Sequence, residues 1–98
     1  MTFVSTTTVL EKLSPLALDV FFLFNGNEKS ILTPKKLSKL LDMDGRSGFA
    51  ILRFLKEYAE LNNGIVEGVL GRYKIQKIQK KHGYMLKVKK LDNMEVRT

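Results

Sequence analysis

Cysteine is absent from this chain of 98 residues, which excludes a disulfide staple and a thiolate metal site and fits a reducing compartment. Histidine occurs once, as His82, and the carboxylates are scattered. Neither a metal site nor a nucleophile paired with a base can be assembled from that set. The run Gly45-Arg46-Ser47-Gly48 is too short for a phosphate-cradling loop and lacks the Gly-Lys-Ser/Thr ending. The expectation is a protein that is not an enzyme and uses no metal and no cofactor. Long hydrophobic runs are also missing. The longest, Leu16 to Phe24, is interrupted by Asp19 and is far too short to cross a bilayer. The first eleven residues contain no Lys or Arg to form the basic start of a signal peptide. A cytoplasmic, nucleoid-associated location is expected.

Acidic residues are missing from one particular stretch. Gly71 to Leu91, GRYKIQKIQKKHGYMLKVKKL, contains eight Lys or Arg and no Asp or Glu. The chain as a whole carries a net charge of +7 with a pI near 9.8. Residues 1–49 hold six basic and five acidic groups, against eleven and five in residues 50–98. Such a one-sided surplus either makes a field that attracts a polyanion or is a solvated basic face. The length allows one domain, and 44% hydrophobic residues place it in the globular range.

Proline occurs only twice, each time behind a hydroxyl residue. Ser14-Pro15 and Thr33-Pro34 both read as helix starts, the hydroxyl capping free N–H groups and the proline filling a first-turn position that needs no donor. The first helix then runs through LALDVFFLF, apolar on nearly every side and so expected at the centre of the core, and stops at Asn25-Gly26. A weaker turn can precede it, where Val9, Leu10 and Leu13 share a face. Ser30 to Leu32 is a short extended segment. The second helix ends at Leu41, with Leu37, Leu40 and Leu41 on one side. Asp44 caps a third, running to about Leu61 and closed by Asn62-Asn63-Gly64. Its stripe of Gly48, Ile51, Leu52, Leu55, Tyr58 and Ala59 opposes Arg46, Ala50, Arg53 and Glu57.

Beyond Gly64 the period becomes two. Ile65-Val66 is a strand that can continue to Leu70. Tyr73 and Ile75 share a face while Ile78 has the other parity, which implies a bulge near Gln76 or Lys77, or a strand exposed on both sides. Lys80 to Gly83 is a turn, and Tyr84, Leu86 and Val88 alternate with Met85, Lys87 and Lys89.

The order helix, strand, helix, tight turn, helix, β-hairpin, together with Leu32 to Tyr58, LTPKKLSKLLDMDGRSGFAILRFLKEY, resembles the winged helix-turn-helix transcription regulators of archaea and bacteria. The resemblance implies an α+β fold with a three-helix core and a C-terminal hairpin wing over residues 14–91. Residues 1–13 are then an arm or short helix, and 92–98 a tail. It implies a third helix, about 44–61, lying in the major groove of double-stranded DNA with the basic hairpin on phosphates, and a homodimer formed through residues 1–13 or through the hairpin. Phe3, Val4, Val9 and Leu10 are more apolar than a free arm needs.

The candidate DNA contacts are Gly45, Arg46, Ser47, Ala50 and Arg53 on the third helix, Lys35 and Lys36 on the second, and Lys74, Lys77, Lys80, Lys81 and His82 on the hairpin. Arg46 suits a bidentate contact to guanine, and Arg53, two turns in, a phosphate. Lys87, Lys89 and Lys90 either touch DNA or guard an edge strand against aggregation. Gly48 departs from the family by replacing a small or β-branched apolar residue, and it lets the second helix approach closely. Phe49 departs by being bulky on the exposed flank, where it faces DNA, the core edge or a partner. The alternatives are a winged-helix module that binds an acidic protein, and a structural nucleic-acid binder without sequence preference.

Overall fold

The computed structural model describes residues 6–25 and 29–93, and the side chains of residues 9–24 and 29–91. It is an α+β fold. Helix α1 spans Thr6–Asn25, strand β1 Lys29–Leu32, helix α2 Pro34–Leu41 and helix α3 Gly45–Leu61. Strands β2, β3 and β4 span Ile65–Glu67, Gly71–Lys80 and Gly83–Asn93. The four strands form one antiparallel sheet in the order β1-β4-β3-β2. Its inner face, carrying Leu32, Val66, Tyr73, Ile75, Leu86 and Val88, is buried with Leu18, Phe22, Leu37, Ile51 and Leu55 of the helices. Phe22 of α1 stacks on Tyr73 with ring centroids 5.2 Å apart.

Two caps fix where α2 and α3 begin. Thr33 accepts from the Lys36 amide at 3.2 Å, and Asp44 accepts from the Ser47 amide at 2.8 Å. That bond holds the Asp44 carboxyl below its ordinary value of 3.8. Asp42 adopts left-handed angles (φ 51°), which turns the chain from α2 into α3 within three residues.

The Ser14-Pro15 signal does not start a helix. Helix α1 begins at Thr6 and runs unbroken across residues 13 and 14, with Pro15 inside it. A proline there leaves the carbonyl four residues back without its donor. That carbonyl belongs to Glu11, and the Tyr58 hydroxyl of α3 donates to it at 3.0 Å. Ser14 turns its hydroxyl back to the Leu10 carbonyl at 2.7 Å instead of capping. Nor is α1 central on all sides. Ala17, Leu18, Phe21 and Phe22 are buried, whereas Leu23 and Phe24 are 69% and 74% exposed, because α2, α3 and the sheet cover only one side of the helix. Leu10 likewise points inward while Val9 and Leu13 point out.

Two strand expectations change, and of the two readings of β3 the one exposed on both sides from Gln76 onward is found. Strand β2 ends at Glu67, because residues 68–70 turn to meet the Asp19 carboxylate, which accepts from the amides of Val69 and Leu70. The bulge lies between Arg72 and Tyr73, where β4 has an extra residue opposite, and Gln76 and Lys77 are in regular register. Ile78 is instead half-buried on the outer face, paired with Met85. Strand β4 is flanked by β1 and β3 over residues 86–89, so edge protection does not explain Lys87 or Lys89.

Tyr58, Tyr73 and Tyr84 are all raised above the ordinary phenol value of 10.0, in each case first by burial. For Tyr73 the hydrogen bond to Asp19 adds to the effect. A folded state with raised values keeps protons that the unfolded chain gives up, so its stability is complete below about pH 10 and declines as pH rises through the folded values. Absorbance titration at 295 nm is expected to show phenolate appearing later in the native protein than in urea. Superimposed curves would remove this linkage. No helix among the described residues is long and apolar enough to cross a membrane.

Candidate nucleic-acid interface

One strip of α3 faces outward. On a helix of 3.6 residues per turn, Arg46, Phe49, Arg53, Glu57 and Glu60 fall along it, and all five are exposed. Gly48, Ile51, Leu52, Leu55 and Ala59 are buried on the opposite side, as the stripe predicts, joined by Phe54. Gly45 and Arg46 lie open on the first turn, whereas Ser47 and Ala50 are half-buried, Ala50 against the core. Arg53 is not a free cation. It is 4.0 Å from Glu57 and its guanidinium lies 5.4 Å from the centre of the Phe54 ring. Glu57 and Glu60 also make the second half of the strip less attractive to phosphate, so the cationic part of α3 is its first turn.

Phe49 is exposed, yet one side of its ring is covered. At 46% exposure it packs on Tyr84, ring centroids 6.2 Å apart, just past the hairpin turn. The ammonium groups of Lys56 and Lys77 each lie 5.5 Å from the Tyr84 ring centre. This cluster joins the front of α3 to the hairpin. Arg46 is one turn before Phe49, and Lys81-His82 lie two to three residues before Tyr84. The turn is tight. Lys80 pairs with Gly83, whose φ of 122° only glycine adopts readily, and Lys80, Lys81 and His82 are all exposed.

The remaining candidates separate. Lys77 shares the inner parity of β3 with Tyr73 and Ile75, while Lys74 is on the outer face opposite Lys89, so the two do not form one track along the hairpin. Lys35 is exposed on α2. Lys36 donates its ammonium to the Ile31 carbonyl at 2.8 Å, tying α2 to β1. Phe3 and Val4 lie outside the described residues. No group of three or more acidic or histidine side chains among the described residues could hold a metal.

Tyr84 and Lys56 are members of this cluster that sequence patterning does not single out. A tyrosine at an inward position of a strand reads as core, and only the register of hairpin against helix reveals its neighbours. The Tyr84 hydroxyl is buried without a hydrogen-bond partner. Removing an unpaired buried hydroxyl relieves a desolvation cost of about 1 kcal/mol. Tyr84→Phe is therefore expected to stabilise the protein by up to about 1 kcal/mol in urea melts. A loss of stability would show that the hydroxyl is satisfied in solution. Comparison of the chain with family models, curated proteins and solved structures finds no match in any of the three.

Proposed function

We propose that the chain is a winged helix-turn-helix protein that binds double-stranded DNA sequence-specifically and regulates transcription in the cytoplasm, by binding and not by catalysis. The observation that carries this reading is the Phe49–Tyr84 contact, which packs the second turn of α3 on β4 just past the hairpin turn. On this reading Arg46 and the group Lys80, Lys81 and His82 face the same duplex. The element order and the pairing of β1 with β4 support the winged-helix reading. In this arrangement α3 enters the major groove with Arg46 at a guanine edge, and Ser47 and Gly45 approach the backbone. Lys80, Lys81 and His82 contact phosphates and add affinity without sequence information. Lys77 and Arg53 are less available, being engaged with Tyr84 and Glu57.

The partner in a dimer is a second copy joined through α1. Val9, Leu13, Leu16, Val20 and Leu23 recur at spacings of four and three, the interval of a helix–helix seam, and all but the half-buried Val20 are exposed. From Val9 to Leu23 the stripe is about 21 Å long at 1.5 Å per residue. A seam centred on this helix is self-complementary about a two-fold axis.

Selection of duplexes from a random pool at two salt concentrations tests both statements. A dimeric regulator recovers an inverted repeat with half-sites about one helical turn apart. Contact with five or six phosphates gives a slope of log affinity on log salt of about −4.5 to −5.5. Arg46→Ala is expected to cost about 1–3 kcal/mol on the selected site and to relax sequence choice there. Lys80→Ala with Lys81→Ala weakens all duplexes alike and flattens the slope. Recovery of no preferred sequence would leave only an unspecific nucleic-acid binder. Salt-independent binding, or none, would remove the DNA reading.

A further inference from the structure

The face of the sheet turned away from the helices is also cationic, and the α3–hairpin surface does not include it. Strand register places Lys29 of β1 opposite Lys89 of β4, and Lys89 opposite Lys74 of β3, so three lysines cross three adjacent strands in one row. In the next row on that face Lys87 stands between Ile31 and Gln76. Lys29, Lys74, Gln76, Lys87 and Lys89 line a shallow depression of about 170 Å³. All four lysines are exposed, and none has an acidic partner among the described residues.

Like charges directly opposite in a sheet repel, their Cβ atoms being only about 4.5–5.5 Å apart, so this arrangement works against folding. Aggregation control at an edge is no explanation for Lys87 and Lys89, since β4 is interior. An anion laid across the row would remove the repulsion.

We infer that the outer sheet face is a second polyanion-binding surface, which holds the phosphate backbone of a second double-stranded segment while α3 and the hairpin turn hold the first. This rests on the DNA-binding reading above. Duplex is favoured over single strand because no aromatic side chain among the described residues lies on this face; Tyr73 and Tyr84 both have the inner parity. Single-strand surfaces stack bases on aromatic rings, whereas a duplex backbone requires only cations at strand spacing. The protein so built bridges two duplexes.

The test compares two variants of the full chain with the wild type. The sheet variant carries Lys29→Gln, Lys87→Gln and Lys89→Gln, and the tip variant carries Arg46→Ala, Lys80→Ala and Lys81→Ala. Binding to a 30-bp duplex is followed by anisotropy across salt, and bridging by energy transfer between two differently labelled duplexes. The tip variant is expected to keep residual binding with a salt slope of about −2.7 to −3.6, corresponding to three or four phosphates, and to lose sequence choice. Adding the three sheet substitutions to it abolishes that binding. The sheet variant alone keeps its selected site, with bridging reduced at least tenfold and a thermal midpoint no lower than wild type. Bridging by the sheet variant equal to wild type, or no residual binding by the tip variant, overturns the inference and leaves the regulator reading standing. A tip variant that keeps sequence choice while the sheet variant loses all binding overturns the regulator reading and leaves the sheet face as the DNA site. Displacement of the tip variant by polyglutamate at lower charge concentration than by duplex assigns the face to an acidic protein, which also overturns the inference.

Discussion

Asp19→Ala is expected to lower the unfolding free energy by about 4 kcal/mol, a large share of the roughly 5–15 kcal/mol that holds a domain of this size. The carboxylate is 1% exposed on α1 and accepts three hydrogen bonds from a segment fifty residues away. The Val69 amide donates at 2.6 Å, the Leu70 amide at 3.1 Å and the Tyr73 hydroxyl at 2.6 Å. Bonds to a charged acceptor are each worth about 1.5–3 kcal/mol, and removing the acceptor strands all three donors. Tyr73 is itself fully buried, so its hydroxyl has no route to water. Gly68 closes the clamp, because an added Cβ would stand 2.6 Å from Asp19 Oδ2.

A double-mutant cycle separates this account from simple loss of packing. In the wild type, Tyr73→Phe removes one good hydrogen bond and costs about 1–2 kcal/mol. In the Asp19→Ala background the same change deletes an unpaired buried hydroxyl and is expected to stabilise. Urea midpoints give both values. If Asp19→Ala costs less than about 1 kcal/mol, the loop donors have found other partners and the clamp is dispensable.

Asp19 is also where sequence reasoning reaches its limit. Within the run from Leu16 to Phe24 it reads only as an interruption, since its donors are distant in the chain and two of them are backbone amides without a residue signature. Features whose physics is local were legible. Thr33 and Asp44 cap helices through bonds that span three residues, and both helix starts follow from them. Ser14-Pro15 carries the same local signal, yet Tyr58, 47 residues beyond the Glu11 carbonyl that lost its donor, supplies a replacement and the helix continues. The bulge and the interior place of β4 belong to strand pairing, which alternation along one strand cannot contain.

The candidate interface divides along the same line. Exposure of Arg46, Lys80, Lys81 and His82 follows from periodicity and turn chemistry. The odd spacing of Lys74 and Lys77 places them on opposite faces of any regular strand, so their separation was available from alternation alone. The Phe49–Tyr84 contact and the Lys29–Lys89–Lys74 row were not, since each needs the register between elements. Sequence indicated where charge is concentrated, and pairing decided which charges share a surface.

Gly48→Val is expected to destabilise by about 3 kcal/mol or more, and Gly48→Ala by about 2 kcal/mol, despite the usual gain of about 1 kcal/mol when alanine replaces a helical glycine. The sign is set by what the new carbon meets. A Cβ at residue 48 would stand 2.5 Å from the Pro34 carbonyl oxygen and 3.2 Å from the Ser38 amide, and would collide with the Ser38 hydroxyl. Two of these are backbone atoms of α2 and cannot rotate away. The Ser38 hydroxyl is itself held between the carbonyls of Pro34 at 2.8 Å and Asp44 at 3.0 Å, donating to one at a time. Relief therefore requires α2 to move off α3, which disturbs Leu37 in the core and the Asp42–Asp44 turn together. That displacement changes how far the first turn of α3 projects. DNA affinity of any folded fraction of Gly48→Ala should accordingly fall along with its thermal midpoint, while Ser38→Ala, which removes only the hydroxyl, lowers stability much less. A Gly48→Ala protein more stable than wild type would show that α2 and α3 are not in close contact and would remove the geometric basis for the exposed position of Arg46.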